Sequence, residues 1–165
     1  MKRKLNPYQK GNLILRLLEE GDLHCTLSWR NYEEHRQWFV STEIISFDKH
    51  VAWFHNYSKL DTDFIFIIED KQENRIGQLS IYELDDKNKQ AKFGRFVVNP
   101  AFSNLGMMKT ACNIGMELAK EILQIQKLIL EVKQNNQKAI HIYQSAGFEM
   151  KEITSDGLLN MELQL

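Results

Sequence analysis

Tyr143 stands seven residues after Asn136 and four before Gly147-Phe148. That spacing sets a phenol almost two turns along a helix begun by an asparagine and ended by a glycine. A phenol with a reference pKa of ~10 is protonated at pH 7 and can donate to a developing anion. Glu131 lies near the end of the apolar run Lys127–Lys133, and Ser80 lies within another, Arg75–Leu84. The carboxylate is a candidate proton relay, directly or through a water with Ser80. The alternative is a surface ion pair with Lys133 or Lys92. A second kind of chemistry is suggested by an absence. No carboxylate occurs between Lys92 and Glu117, although an apolar-striped helix begins there near Asn104. The first N–H groups of a helix have no partner inside it, and first turns usually collect Asp or Glu. A turn without them suits an external anion, most simply a phosphate or pyrophosphate. The alternative is a helix capped by Ser103 or Asn104 and water.

These groups need elements to position them. Asn12–Leu18 reads as a first strand, with Asp22 a candidate N-cap for the next segment. Leu23–Phe39 is helical but aromatic and charged, and Ser46–Tyr57 is a second helix. Asp63–Glu69, Arg75–Leu84 and Lys92–Val98 form a meander of three strands, broken by polar turns. The corner Asn99–Phe102 leads into the helix that runs to about Leu123, with Met108, Ala111, Cys112, Gly115, Leu118, Ala119 and Ile122 on one face. Then come the strand Lys127–Lys133, a helix over Gln137–Ser145, and the final strands Phe148–Ile153 and Leu158–Leu165. The order is that of an α/β chain with a mixed sheet of about seven strands and about four helices.

Composition narrows the function. The chain has 165 residues, 43% hydrophobic and 26% charged, with a formal net charge of -1. One domain over residues 1–165 is expected, and no electrostatic case for nucleic acid exists. No apolar run reaches about 18 residues, so no membrane span is expected; a cytoplasmic protein is the expectation. Cys25 and Cys112 are too few and too far apart for a disulfide framework, and Cys112 falls on a helix's inner stripe as a buried hydrophobe. The five histidines show no paired-ligand spacing, so no metal is expected. The apolar last strand, Leu158–Leu165, makes a homodimer as reasonable as a monomer.

The order of elements and two motifs resemble the GNAT family of N-acetyltransferases. In the family, a Gln/Arg-x-x-Gly-x-Gly/Ala turn holds the pyrophosphate of acetyl-coenzyme A on backbone N–H groups. The matching residues here are Ser103, Asn104, Leu105, Gly106, Met107 and Met108, followed by Lys109. Only Gly106 keeps the pattern, yet backbone donors do not need the missing side chains. The second motif, Asn136-x-x-Ala139-x-x-x-Tyr143-x-x-x-Gly147-Phe148, matches well. The resemblance implies a sheet splayed between its fourth and fifth strands, acetyl-coenzyme A as cofactor, and a small-molecule amine as acceptor. It places the cofactor against Phe96, Val97, Val98, the turn residues, Asn136, Ala139 and Tyr143. It implies that Tyr143 protonates the leaving thiolate and that a backbone N–H near Phe96–Val98, freed by a bulge, binds the oxyanion.

Within the family, Trp29-Arg30-Asn31, Arg36-x-Trp38-Phe39 and His50-x-x-Trp53-Phe54 resemble N-acetyltransferases of nucleotide-linked 4-amino-6-deoxysugars, with a Rim-like resemblance beside it. That branch implies Arg30, His50, Ser80 and Glu131 at or near the substrate, and Asn31 and Trp38 are expected on the substrate side with them; the aromatic and basic cluster itself reads as mixed, with Arg30 in the site and Trp38 in the core. The alternative acceptors are a spermidine-type polyamine or a protein N-terminus. A third alternative is a binding module that has kept the fold without catalysis.

Overall fold

Phe64, Phe66 and Ile68 alternate with Ile65 and Ile67, and all five are buried. The strand that carries them, Asp63–Asp70, is therefore covered on both faces. The computed structural model describes all 165 residues. In chain order the elements are β1 (Tyr8–Lys10), β2 (Leu13–Leu17), α1 (Leu23–Asn31), α2 (Glu33–Arg36), α3 (Phe47–Tyr57), β3 (Asp63–Asp70), β4 (Arg75–Asp85), β5 (Gln90–Val98), α4 (Met107–Glu121), β6 (Lys127–Lys133), α5 (Gln137–Ser145), β7 (Glu149–Ile153) and β8 (Leu158–Gln164). They build one mixed sheet in the order β1-β2-β3-β4-β5-β6-β8-β7. Only β5 and β6 run parallel.

The larger core lies on one face of the sheet, where Ala111, Cys112, Ile114, Leu118 and Ala119 of α4 pack with Phe64, Phe66, Leu79, Phe93 and Leu128. On the other face, Tyr57 and the partly buried Phe54 of α3 pack with Leu18, Ile65 and Ile67. The Tyr57 hydroxyl accepts the Ile65 N–H at 3.0 Å, which satisfies a buried amide where the β2–β3 ladder ends. Gly77 of β4 has no room for a side chain: a Cβ there would lie 2.5 Å from the Val97 carbonyl oxygen and 3.2 Å from Met108 Sδ. Its absence lets the end of β5 and the start of α4 close over β4.

Eight strands and five helices stand where seven and four were expected. The extra strand, Tyr8-Gln9-Lys10, is too short and polar to show a period. The extra helix arises because Tyr32 is extended (φ -59°, ψ 128°) and breaks the run from Leu23 into two. The last strand is not an outer one. β8 lies between β6 and β7, paired along its length with β6, so its apolar residues are explained within the chain.

Asp22 does not cap α1 with its side chain. Its carboxylate, 2% exposed, instead accepts from Arg16 at 2.7 and 2.9 Å and from the Glu19 N–H at 2.9 Å, and pairs ionically with Arg75 Nε 2.9 Å away. Arg16 also reaches Glu69 on β3, at 2.9 Å from Nε. Burial alone would raise the Asp22 pKa, but the Arg16 and Glu19 hydrogen bonds and the Arg16 and Arg75 charges outweigh it and hold it below the usual 3.8. A depressed folded-state pKa stabilises the fold above the unfolded value and stops doing so as pH falls through the folded value. Urea unfolding of Asp22→Asn should show a loss of about 3 kcal/mol at pH 7, shrinking below about pH 4. An equal loss at both pH values would remove the carboxylate from this role.

Candidate active site

The site forms where β5 and β6 part. Their pairing is limited to Gln90–Lys92 opposite Lys127–Ile129; beyond that the strands diverge, while β6 stays paired with β8 over all seven residues. A bulge lies on the β5 side of the gap. Gln78 faces Val97 and Ser80 faces Gly94, so Leu79 alone opposes two residues, Arg95 and Phe96. Arg95 takes a left-handed φ of +51° there. A bulge bends its strand and leaves one residue unpaired. This is the bulge expected beside Phe96–Val98.

After β5 the chain turns at Asn99, whose side chain accepts the Ala101 N–H at 3.1 Å and donates to the Arg75 carbonyl at 2.8 Å. Asn104 (φ +63°) and Gly106 (φ +72°) are both left-handed. α4 starts at Met107, three residues later than expected, with Gly106 at its N-cap, no side-chain cap and no acid in its first turn. Neither Ser103 nor Asn104 caps it. The first amides of α4 are left open, which is the donor set a diphosphate needs. From α5, Lys138 Nζ donates to Asn104 Oδ1 at 2.9 Å and brings a cation to the same turn. Lys138 was not among the expected residues. A lysine two residues after the cap Asn136, in a first turn that holds no acid, is the signal that could have found it.

Asn136 caps α5 as its spacing predicts, accepting the Ala139 N–H at 3.2 Å. Ala139 packs partly buried against the main core. The Tyr143 ring lies 5.7 Å from Phe96 and 5.9 Å from Phe148, centroid to centroid. The phenol is thereby set beside the bulged strand. Burial, then the neighbouring Cys112 and Tyr82, raise its pKa above the ordinary 10. It is a proton donor throughout the neutral range. Cys112 is buried, and desolvation pushes its thiol up to about 12, as befits a core residue and not a nucleophile.

The other expected residues divide. Glu131 is exposed at the gap; its nearest cation is Lys92 at 3.9 Å, and Lys92 itself is held by Glu83 at 2.9 Å. Lys133 turns away and donates to the Gln37 carbonyl at 2.6 Å. Ser80 is fully buried with an unpartnered Oγ. It sits on β4, two strands from Glu131 with β5 between, so about 10 Å separates their backbones. The Ser80 hydroxyl makes no hydrogen bond to Glu131, directly or through another side chain.

On the α1–α3 side, Arg30 donates to the Ser41 carbonyl at 2.6 Å and stacks on Phe39 at 4.0 Å. Arg36 donates to the Thr42 carbonyl at 3.4 Å, and Asn31 exchanges two bonds with the backbone of Ile45. Arg30 Nη1 and Arg36 Nε remain buried without partners. These side chains fold residues 37–46 into a lobe that Lys133 ties to β6. Trp38 is 40% exposed and Trp29 is 4% exposed, the reverse of the expectation for Trp38. His50 is buried between helices, 3.1 Å from Thr26 Oγ1 and stacked on Trp53. Desolvation lowers its pKa, which favours the neutral imidazole packed between Thr26 and Trp53.

A parted parallel strand pair, a bulge, an uncapped helix start and a half-buried phenol lie together, an arrangement suited to acyl transfer from a diphosphate-bearing thioester. The family model described as an acetyltransferase (GNAT) domain matches residues 12–149, and the chain belongs to that family. It is an N-acetyltransferase that uses acetyl-coenzyme A. Among curated relatives, spermidine N(1)-acetyltransferase of Vibrio cholerae is 28% identical over 138 residues, covering 84% of this chain and 79% of its own. The spermidine N(1)-acetyltransferase of Escherichia coli K12 is 27% identical, covering 90% of this chain and 73% of its own. Acetyltransferase PseH of Campylobacter jejuni is 24% identical, covering 84% of each chain. In fold, the chain matches the crystal structure of spermidine N-acetyltransferase from Vibrio cholerae in complex with CoA and spermine, with a TM-score of 0.87 at 24% identity over 94% of this chain and 96% of that one. No helix is long and apolar enough to cross a membrane.

Gly106 supplies the direct test of the helix-start site. Its φ of +72° costs a residue bearing a Cβ about 1–2 kcal/mol. Gly106→Ala should weaken coenzyme A binding about tenfold by calorimetry. Unchanged affinity would place the diphosphate elsewhere.

Proposed function

We propose that the acceptor is a primary amine of a spermidine-type polyamine. The observation that carries this reading is the charge arrangement of the lobe. Arg30 and Arg36 are engaged with backbone carbonyls, whereas Glu33, Glu34 and Glu43 are exposed and enter no ion pair. The exposed, unpaired charges of α2 and this lobe are therefore anionic, as a polycation requires. Glu131, exposed at the gap, extends that character to the place of reaction. Two relatives named as spermidine N(1)-acetyltransferases support the same reading.

The chemistry asks three things of the chain. An alkyl amine with a pKa near 10.4 needs roughly 4–5 kcal/mol to be neutral at pH 7. Glu131 takes its proton, directly or through a water. The bulge at Arg95–Phe96 offers a main-chain donor to the oxyanion, worth about 3 kcal/mol. Tyr143 gives its proton to the departing thiolate and is restored by the proton that the acylated nitrogen sheds, and holding amine and thioester together in the gap supplies the remainder. A second reading, a nucleotide-linked aminosugar as acceptor, is favoured by one observation: the unpartnered N–H groups of Arg30 and Arg36 would suit a diphosphate.

Thiol release from acetyl-coenzyme A, measured against spermidine, spermine, aminosugar nucleotides and N-terminal peptides, separates the readings. Spermidine should give the highest kcat/KM, falling as salt rises. Turnover confined to aminosugar nucleotides would overturn the polyamine. Tyr143→Phe should lower kcat about a hundredfold with coenzyme A binding intact. Because the Tyr143 pKa is raised, wild-type kcat should show no alkaline fall due to this phenol below pH 10. An unchanged kcat in the variant would remove Tyr143 as the acid.

A further inference from the structure

Arg95 occupies an unusual backbone state for its residue type. It lies inside the β5 bulge at φ +51°, a conformation that L side chains adopt at a cost and that glycine adopts freely. Its side chain is held at both ends of its reach. Arg95 Nη1 donates to both carboxylate oxygens of Asp63 on β3, at 2.9 and 3.1 Å, and the guanidinium lies 3.7 Å above the Tyr82 ring on β4. Asp63 and Tyr82 are themselves register partners. One residue of the bulge is thus tied across two neighbouring strands, and Asp63 is only 16% exposed at its side chain. The bulge would otherwise be free to relax into ordinary β pairing, which would turn its unpaired amide away from the gap.

We propose that Arg95 is a positioning residue: its clamp on Asp63 and Tyr82 holds the left-handed bulge that presents the Arg95–Phe96 main chain to the reacting carbonyl. This rests on the acyl-transfer reading of the gap, and adds to it a long-range cause for the shape of the oxyanion site. The clamp's own contacts run to β3 and β4, to Asp63 and Tyr82. It acts through the backbone it restrains, and through Phe96, whose ring contacts Tyr143. Lys2 also approaches Asp63, but bonds to its main-chain carbonyl, so that anchor survives a change at the carboxylate.

Three variants test the clamp: Arg95→Ala, Arg95→Gly and Asp63→Asn. Arg95→Ala should lower kcat about tenfold or more per folded, coenzyme A-binding molecule, with KM for acetyl-coenzyme A within twofold of wild type. Arg95→Gly should retain more kcat than Arg95→Ala, because glycine needs no clamp to hold φ +51°. Asp63→Asn should lower kcat in the same sense, and the double variant Asp63→Asn/Arg95→Ala should be no worse than Arg95→Ala alone. A readout independent of any acceptor is amide hydrogen exchange over Gly94–Val98, which should quicken in Arg95→Ala and Asp63→Asn. Wild-type exchange in both variants would overturn the proposal whether or not the acceptor is the right one. Wild-type kcat in Arg95→Ala, or fully additive losses in the double variant, would overturn it while leaving the acyl-transfer reading intact.

Discussion

The structure depends on one broken partnership, the short pairing of β5 with β6. Two parallel strands begin together at Gln90–Lys92 and Lys127–Ile129 and then part. Parting leaves backbone N–H and C=O groups without a strand to bond, and such groups need other partners. β6 is held from its far side by β8 and cannot follow β5. β5 is held by β4, and its bulge bends it away. The result is a slot walled by main chain, open to an extended molecule that carries amides of its own. Every other part of the site is arranged around that slot: α4 starts at one mouth, α5 sets Tyr143 beside it, and Glu131 stands at its rim.

Electrostatics divides the slot between its two ligands. Toward α4 the chain offers main-chain donors and Lys138, with no acid in the first turn. Toward α2 and the lobe of residues 37–46 it offers the exposed carboxylates of Glu33, Glu34 and Glu43, while Arg30 and Arg36 are engaged with the backbone. On the proposed polyamine reading, the anionic cofactor and the cationic acceptor are drawn to different sides of the same gap. The phenol between them sits where burial keeps it protonated. The Asp22–Arg16–Glu69–Arg75 network ties the start of α1 to β2, β3 and β4 around the buried Asp22 carboxylate.

The features legible in the sequence are local ones. Asn136, Ala139, Tyr143 and Gly147 have fixed jobs at fixed helical spacing, and the α5 cap and its phenol stand where that spacing places them. The missing acids ahead of Met107 were legible for the same reason, because a helix start is decided by a few adjacent residues. Contacts between distant segments were not legible. Lys138 meets Asn104 across 34 residues, and Arg95 meets Asp63 across 32. Nothing in either neighbourhood names the other. Trp29 and Trp38 show a second limit. Nine residues apart, they fall on opposite faces of one continuous helix. The extended Tyr32 resets the phase, so periodicity alone could not decide which ring is buried. The burial of Ser80 was not legible either, since the sequence placed its strand but not the packing that closes over its hydroxyl.

A crystal structure with coenzyme A bound tests the central claim most directly. The diphosphate should lie on the amides of Leu105–Met108, the arm should run between β5 and β6, and the sulfur should come within hydrogen-bond reach of the Tyr143 hydroxyl. A cofactor lodged outside that gap, or a sulfur remote from Tyr143, would contradict the account.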